Sequence, residues 1–261
     1  MSASPLACFV CETPMEPAFT KTFTWHDLGD VAYVRCPDCG FVASETHAAM
    51  SEEAWADLNH AFHIERDPAA NRSSAARAMA RLEGYASAIT DAAGAGAIDL
   101  IGSWLDYGCG EGTLASLIEN SVEKTVLRYE PYMPRSEGPW VDRAGGGHSL
   151  VVNTAMFEHV LDRKSLDDVV NALGEDGVLA LHTVIGPKVP DDPDWFYLLP
   201  PHTAFFTNAS MRLLCEQWGF STSAYHVPGK LWLFARNPAR LAALKGREGW
   251  LVADGFLAYW T

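Results

Sequence analysis

The run Leu105-Asp-Tyr-Gly-Cys-Gly-Glu-Gly-Thr113 decides the fold. Trp104 to Tyr107 reads as a short strand, and Gly108, Gly110 and Gly112 end it. Leu114, Leu117 and Ile118 then supply the apolar stripe of a helix. In a strand–glycine turn–helix unit the bare backbone lets a ligand come close, and the free N–H groups of the first helical turn face it. The next strand, residues 125–130, ends in Glu130. An acid about twenty residues beyond the first glycine can accept hydrogen bonds from ribose hydroxyls.

Outward from that unit, strands and helices alternate. Leu150-Val-Val-Asn153 and Gly177-Val-Leu-Ala-Leu-His182 read as strands. Leu166, Val169, Val170 and Leu173 mark an amphipathic helix. Thr207 caps a further helix through Met211, Leu214 and Trp218, stopped at Gly219. Residues 223–227 and 230–234 form a hairpin around Pro228-Gly229. The alternation predicts an α/β sheet with crossover helices and an antiparallel C-terminal edge. Upstream, residues 51–89 read as helical and alanine-rich, with Met79, Leu82, Ala86 and Ile89 on one face. The expected organisation is a small module at 1–45, a helical segment at 46–97, the sheet domain at 98–236 and a C-terminal extension at 237–261.

The first 45 residues hold two knuckles, Cys8-x2-Cys11 and Cys36-x2-Cys39. Four thiolates so paired suit one tetrahedral zinc ion in a closed, structural site. Pro37 and Gly40 fit the tight turn of the second knuckle. Cys109 and Cys215 remain, Cys215 as a core residue. No run is long and apolar enough to span a bilayer, and the first ten residues lack the basic start of a signal peptide. A cytoplasmic location follows, where the cysteines stay reduced.

Charge bears on partners. Of 261 residues, 19 are basic and 33 acidic, a net charge of -14. That is the wrong sign for a phosphate backbone. The cysteine module shares the bias, with only Lys21 and Arg35 against six carboxylates.

The residues from Asp106 to Gly112 resemble the first motif of the class I S-adenosylmethionine-dependent methyltransferases, an acid-x-Gly-x-Gly-x-Gly run. Glu130 matches that family's ribose acid. Asn153-Thr-Ala-Met-Phe-Glu-His159 is similar to its fourth-strand segment, and Leu173-Gly-Glu-Asp-Gly177 to the turn before its fifth strand. The resemblance spans about residues 98–236. It implies a Rossmann-like methyltransferase sheet with S-adenosylmethionine as cofactor. Asp106 would orient the methionine end, partly through the loop amides. Gly108, Gly110, Gly112 and Asn153 would line the cofactor, and Glu130 would hold the ribose. The third strand, near Trp140-Val-Asp142, is weakly marked.

A four-cysteine ribbon ahead of such a domain resembles bacterial methyltransferases of sugars and nucleotide-linked sugars. Those enzymes carry a Tyr-His-Glu-His segment after the fifth strand. Here Leu199-Pro-Pro-His-Thr-Ala-Phe-Phe-Thr207 keeps only His202 and the Phe206-Thr207 end. The implied acceptor is therefore a small molecule, preferably a sugar or nucleotide sugar. A ribbon-bearing RNA methyltransferase and a catalytically silent S-adenosylmethionine-binding module stand as alternatives.

A hydroxyl or carbon nucleophile must lose a proton, and histidine suits that near neutral pH. The candidates are His202, on the loop after the fifth strand, and His159 with Glu158 as its orienter. His182 can equally be a satisfied core residue, and His60 and His63 read as surface residues. Residues 186–201 form a long proline-rich loop. Its Trp195, Phe196 and Tyr197 would either stack on an acceptor or pack the loop down.

Overall fold

The strand expected at the glycine run forms at Trp104–Tyr107, with all four residues buried in the middle of the larger of two sheets. The computed structural model describes residues 6–64, 72–133, 135 and 137–259. The opening residues 1–5 and the stretch 65–71 of the expected helical segment lie outside the described residues. So do positions 134 and 136 before the weak third strand, and 260–261.

In chain order the N-terminal part contains β1 (Glu16–Phe23), β2 (Gly29–Arg35) and β3 (Val42–Ser44), then α1 (Glu45–Ala48), α2 (Glu52–Ile64) and α3 (Arg72–Gly94). The central part contains β4 (Trp104–Tyr107), α4 (Thr113–Ser121), β5 (Val126–Tyr129), β6 (His148–Thr154), α5 (Arg163–Asn171) and β7 (Leu173–His182). It is followed by β8 (Ile185–Gly186), β9 (Ala204–Thr207), α6 (Asn208–Gln217), β10 (Thr222–His226), β11 (Leu231–Ala235) and β12 (Trp250–Asp254).

The large sheet has the order β12-β10-β11-β7-β6-β4-β5. β5, β4, β6 and β7 run parallel, and β11, β10 and β12 join antiparallel. The parallel strands carry near-continuous apolar runs because both faces are covered. On one face Ile89, Ala92, Leu114 and Ile118 of α3 and α4 meet Trp104, Leu150 and Val152. On the other, Leu166, Val169, Met211 and Leu214 of α5 and α6 meet Leu105, Val151 and Leu179. Each such fully buried side chain stabilises the fold by about 1.5–3 kcal/mol. Both helix caps form: Asp162 accepts from the Ser165 N–H, and Thr207 makes a reciprocal capping box with Ser210.

Four expectations need correction. Residues 1–45 are not a free-standing module. Their strands continue into the second sheet, β1-β2-β3-β9-β8, through the pairs Val42 with Phe205 and Ala43 with Ala204. The free edge of β3 carries unpaired N–H and C=O groups, and β9 satisfies them. The extension at 237–261 likewise contributes β12 to the large sheet, pairing Trp250 with His226 and Asp254 with Thr222. The third strand near Trp140 shrinks to a single parallel bridge between Trp140 and Arg128. On α3 the apolar stripe is shorter than read: Met79 is 41% exposed, while Ala86 and Ile89 are buried. Among the described residues no helix is long and apolar enough to cross a membrane.

Candidate active site

Strand order reverses around β4, whose neighbours are β5 on one side and β6 on the other, and ligands of open α/β sheets bind at the carboxyl ends of such strands. There the glycine loop turns over the sheet. Gly108 and Cys109 both donate backbone N–H bonds to the Tyr129 carbonyl, at 2.8 and 3.2 Å, which straps the loop to the end of β5. The glycines do different work. Gly110 has φ of 55° and a Cβ built there would meet nothing within 4 Å, so it keeps the space above the loop clear. Gly112, with φ of 78°, would place a Cβ 2.7 Å from Arg128 Nε, so its bareness admits a buried arginine rather than a ligand.

Glu130 follows β5 and closes over the same loop. Its Oε2 accepts from the Gly110 N–H at 3.1 Å, and its Oε1 from the Tyr132 N–H at 2.9 Å. Beneath the loop lies Asp106, only 2% exposed. Its carboxyl accepts from the Ala115 backbone, and Oδ2 has no partner. Burial pushes this carboxyl up to about 7, against the opposing pull of Arg128. Arg128 is itself tied to Glu119 at 2.6 Å and to the Ser116 hydroxyl at 3.0 Å.

Asn153 is fully buried. Its Nδ2 donates to the Tyr107 carbonyl at 2.9 Å, which fastens β6 to β4, and its Oδ1 has no partner. The chain then bends so that Met156 would touch a Cβ at Gly108. Asp106, Gly112 and Asn153 therefore shape the loop from below, while Gly108, Gly110 and Glu130 front the crevice.

Two and three residues past Met156 stand Glu158 and His159. Ligating atoms of Glu158, His159 and His202 all lie within 4.8 Å of one another. The sequence candidates for proton transfer thus converge, although 43 residues separate the two histidines. Backbone bonds hold them: the Thr203 N–H donates to the Glu158 carbonyl at 2.7 Å, and Thr203 Oγ1 to the Val160 carbonyl at 2.6 Å. Glu158 is buried and accepts from the Thr183 hydroxyl at 3.1 Å. Burial raises its carboxyl above the usual range, against hydrogen bonds from Tyr197 and Thr183. The His159 ring packs edge-on against His202, with centroids 4.8 Å apart. Burial pushes the His159 imidazolium well below the ordinary value, and the neighbouring His202 and His63 add to that.

The remaining expectations sort themselves. His182 is a satisfied histidine: Nδ1 lies 2.8 Å from the Lys230 carbonyl, the ring packs at a tilt against Tyr85, and burial lowers it to about 4. Trp195 and Tyr197 pack the 186–201 loop onto Phe205, while Phe196 stays 74% exposed. His60 is on the surface as read. His63 is exposed too, but its ring lies 5.5 Å from that of His159, and Asn59, one helical turn before it, bonds His159 at 3.2 Å. The i, i+4 spacing of Asn59 and His63 on α2 was the signal for a polar face turned to the crevice. Arg128 and Thr183 carried no signal in sequence, because their partners are set by strand register.

The four ribbon cysteines also converge. Sγ separations are 3.4 Å for Cys11 and Cys36, and 3.7 Å for both Cys8 and Cys11 against Cys39. No pair is disulfide-bonded. The Cys39 thiol beside it draws the Cys8 thiol down to about 5, while Cys8 and burial push the Cys39 thiol up. Cys215 is buried in the core.

A family model described as a methyltransferase domain matches residues 43–224. A solved S-adenosylmethionine-dependent methyltransferase from Thermotoga maritima is 10% identical; the match covers 70% of this chain and 100% of that one, with a TM-score of 0.42. The plantazolicin methyltransferase BpumL, solved with a desmethylPZN analogue and S-adenosylhomocysteine, is 10% identical over 71% of this chain and 97% of its own, with a TM-score of 0.47. The mitomycin 7-O-methyltransferase MmcR is 16% identical over 69% and 66%, with a TM-score of 0.43. No curated protein matches the chain.

Proposed function

The chain belongs to the methyltransferase-domain family and is an S-adenosylmethionine-dependent enzyme; from that premise we propose that it methylates a small molecule, preferably a sugar or nucleotide sugar. The observation that carries the reading is the carboxylate of Glu130 held over the Gly110 amide at 3.1 Å, beside open space above that glycine. S-adenosylmethionine, when bound, supplies a methyl group on a sulfonium whose leaving group is already good. Positioning then does much of the work. Gly108 and Gly110 allow close approach, Glu130 takes the ribose hydroxyls, and Asp106 and Asn153 hold the loop in shape from below. The partnerless Asp106 Oδ2 and Asn153 Oδ1 fit a loop whose polar groups are completed by a ligand.

The acceptor side is Glu158, His159 and His202, at the same edge of the sheet. These groups bind the nucleophilic group and deal with its proton. Desolvation lowers His159 and favours the neutral ring, whose free ring nitrogen can accept a hydrogen bond from an acceptor hydroxyl. The exposed Phe196 and Tyr132 offer aromatic faces for a ring-shaped acceptor. The net charge of -14 disfavours RNA.

The cysteine cluster is read as a structural zinc site. Tetrahedral Zn–S bonds of about 2.3 Å place sulfurs about 3.8 Å apart, close to the 3.4–3.7 Å found. Cysteines kept as thiolates for a metal suit the reducing cytoplasm, where we place the protein. Calorimetry with S-adenosylmethionine and S-adenosylhomocysteine tests the main reading. Binding of both, together with methyl transfer to a nucleotide-sugar panel, is expected; binding of neither refutes it.

A further inference from the structure

We propose that Glu158, His159 and His202 form a second metal site, which takes a divalent transition ion such as zinc on the acceptor side of the crevice. The inference deepens the acceptor reading above and rests on it for its role, though not for its measurement; with an ion bound, the two histidines hold the ion and no longer accept the proton themselves.

The donor set is the first argument. Two imidazoles and one carboxylate are the protein ligands of open, catalytic zinc sites, where the fourth position is left for water or substrate. The four-cysteine cluster is closed by comparison. The three ligating atoms already lie within 4.8 Å of one another. Bonds of about 2.0–2.1 Å in tetrahedral geometry set such atoms about 3.4 Å apart. The difference to be closed is about an ångström and a half.

Ring orientation is the second. His202 Nδ1 sits 2.7 Å from the Tyr197 carbonyl oxygen, which only accepts, so Nδ1 carries the hydrogen and Nε2 the lone pair. His159 Nδ1 lies 3.2 Å from Asn59 Oδ1. The Asn59 amide cannot be reversed there, because its Nδ2 donates to the Trp55 carbonyl at 2.9 Å. His159 is therefore also the tautomer with its lone pair on Nε2. Metal-binding histidines characteristically donate their other N–H to just such oxygens. Thr183 orients the carboxylate in the same manner.

Charge is the third. Glu158 is 2% exposed and, among the described residues, makes no ion pair within 4 Å, Arg81 acting on it only from farther off. A buried carboxylate is costly without a cation close by, and a divalent ion between the three groups supplies one. His159 is only partly buried.

The test is metal content of the full chain after zinc loading and removal of excess, with S-adenosylmethionine affinity measured on the same samples. Two zinc per chain are expected. His202→Gln and His159→Ala should each hold one, with cofactor affinity unchanged, which shows that the fold survives. Cobalt substitution separates the sites: thiolate-to-metal charge transfer reports the cysteine cluster, and the weaker d–d bands that remain should vanish in His202→Gln. One zinc in the parent chain, or two in all variants, overturns the inference. Failure of cofactor binding with two zincs retained would instead strike the methyltransferase reading.

Discussion

Gly112→Ala and Gly110→Ala look equivalent in sequence and should behave oppositely. At Gly112 two costs add. The left-handed backbone costs an alanine about 1–2 kcal/mol. The new Cβ would also fall 2.7 Å from Arg128 Nε and 2.9 Å from its Cδ. The Arg128 side chain is 3% exposed and cannot swing away without leaving Glu119 and Ser116. Stripping a buried charge of its partner costs about 3–5 kcal/mol; Glu119 is 26% exposed, so water softens this toward the lower end. The sum is about 4–5 kcal/mol. At about 2–4 °C per kcal/mol for a chain of this size, Tm should fall by roughly 8–20 °C. At Gly110 only the backbone cost applies, because a Cβ meets nothing within 4 Å. Tm should fall by only about 2–8 °C. That methyl enters the crevice, however, and S-adenosylmethionine affinity should drop at least about tenfold, or about 1.4 kcal/mol. Thermal melts and calorimetry on both variants read the two axes. Equal Tm losses, or lost affinity confined to Gly112→Ala, would refute the division of labour drawn between the two glycines.

Three further outcomes are expected. Glu130→Ala should weaken S-adenosylmethionine binding by roughly 10- to 100-fold, the worth of one or two hydrogen bonds to a charged group, with Tm nearly unchanged; calorimetry showing unaltered affinity would remove Glu130 from the site. Asp106 binds its proton more tightly folded than unfolded, its pKa rising from 3.8 to about 7. Stability is therefore present below pH 4 and lost as pH climbs from about 4 to 7, by up to about 4 kcal/mol. Asp106→Asn cannot ionise, so its urea-unfolding profile should be flatter than the parent's across that window; parallel profiles would sink the argument. Thr207→Ala removes both the cap on Ser210 and the 2.6 Å bond to the Cys39 carbonyl. About 2 kcal/mol should be lost in denaturant titration, and a loss below about 0.5 kcal/mol would contradict it.

Local pattern carried what was legible in the sequence. The glycine turn, the cap at Thr207 and the buried runs of β4, β6 and β7 are all decided within a dozen neighbouring residues. The four cysteines were legible for the same reason, since each knuckle announces itself by spacing. What escaped depended on distant register. β1 alternates so weakly, with most of its residues exposed or half-exposed, that no apolar period marks it. β12 is an edge strand facing solvent at Leu251, and its partner lies across a hairpin. Gly112 read as a ligand glycine because nothing in the run itself says that Arg128, on the next strand, lies under it.

The convergence of His159 and His202 also depends on the N-terminal residues, which gives the cysteine cluster a role at the site. His202 stands at the entrance to β9, a strand of four residues. β9 pairs on one side with the two residues of β8, through Ile185 and Phe206, and on the other with β3. Ser44 N–H donates to the Thr203 carbonyl at 2.8 Å, directly beside His202. At the other end of β9, Thr207 bonds the Cys39 carbonyl and packs against Gly40, where a Cβ would come within 3.0 Å of Thr207 Cγ2. Both ends of the strand are thus pinned to the chain that follows the second cysteine knuckle. Two-residue and four-residue strands have little stability of their own. On the proposed zinc reading, a staple at Cys36 and Cys39 would keep β3 in place; β3 pairs with β9, and β9 follows directly on His202. On the proposed reading, the acidic cysteine-bearing segment has a physical reason to precede this sheet: it would fix the acceptor side of the crevice.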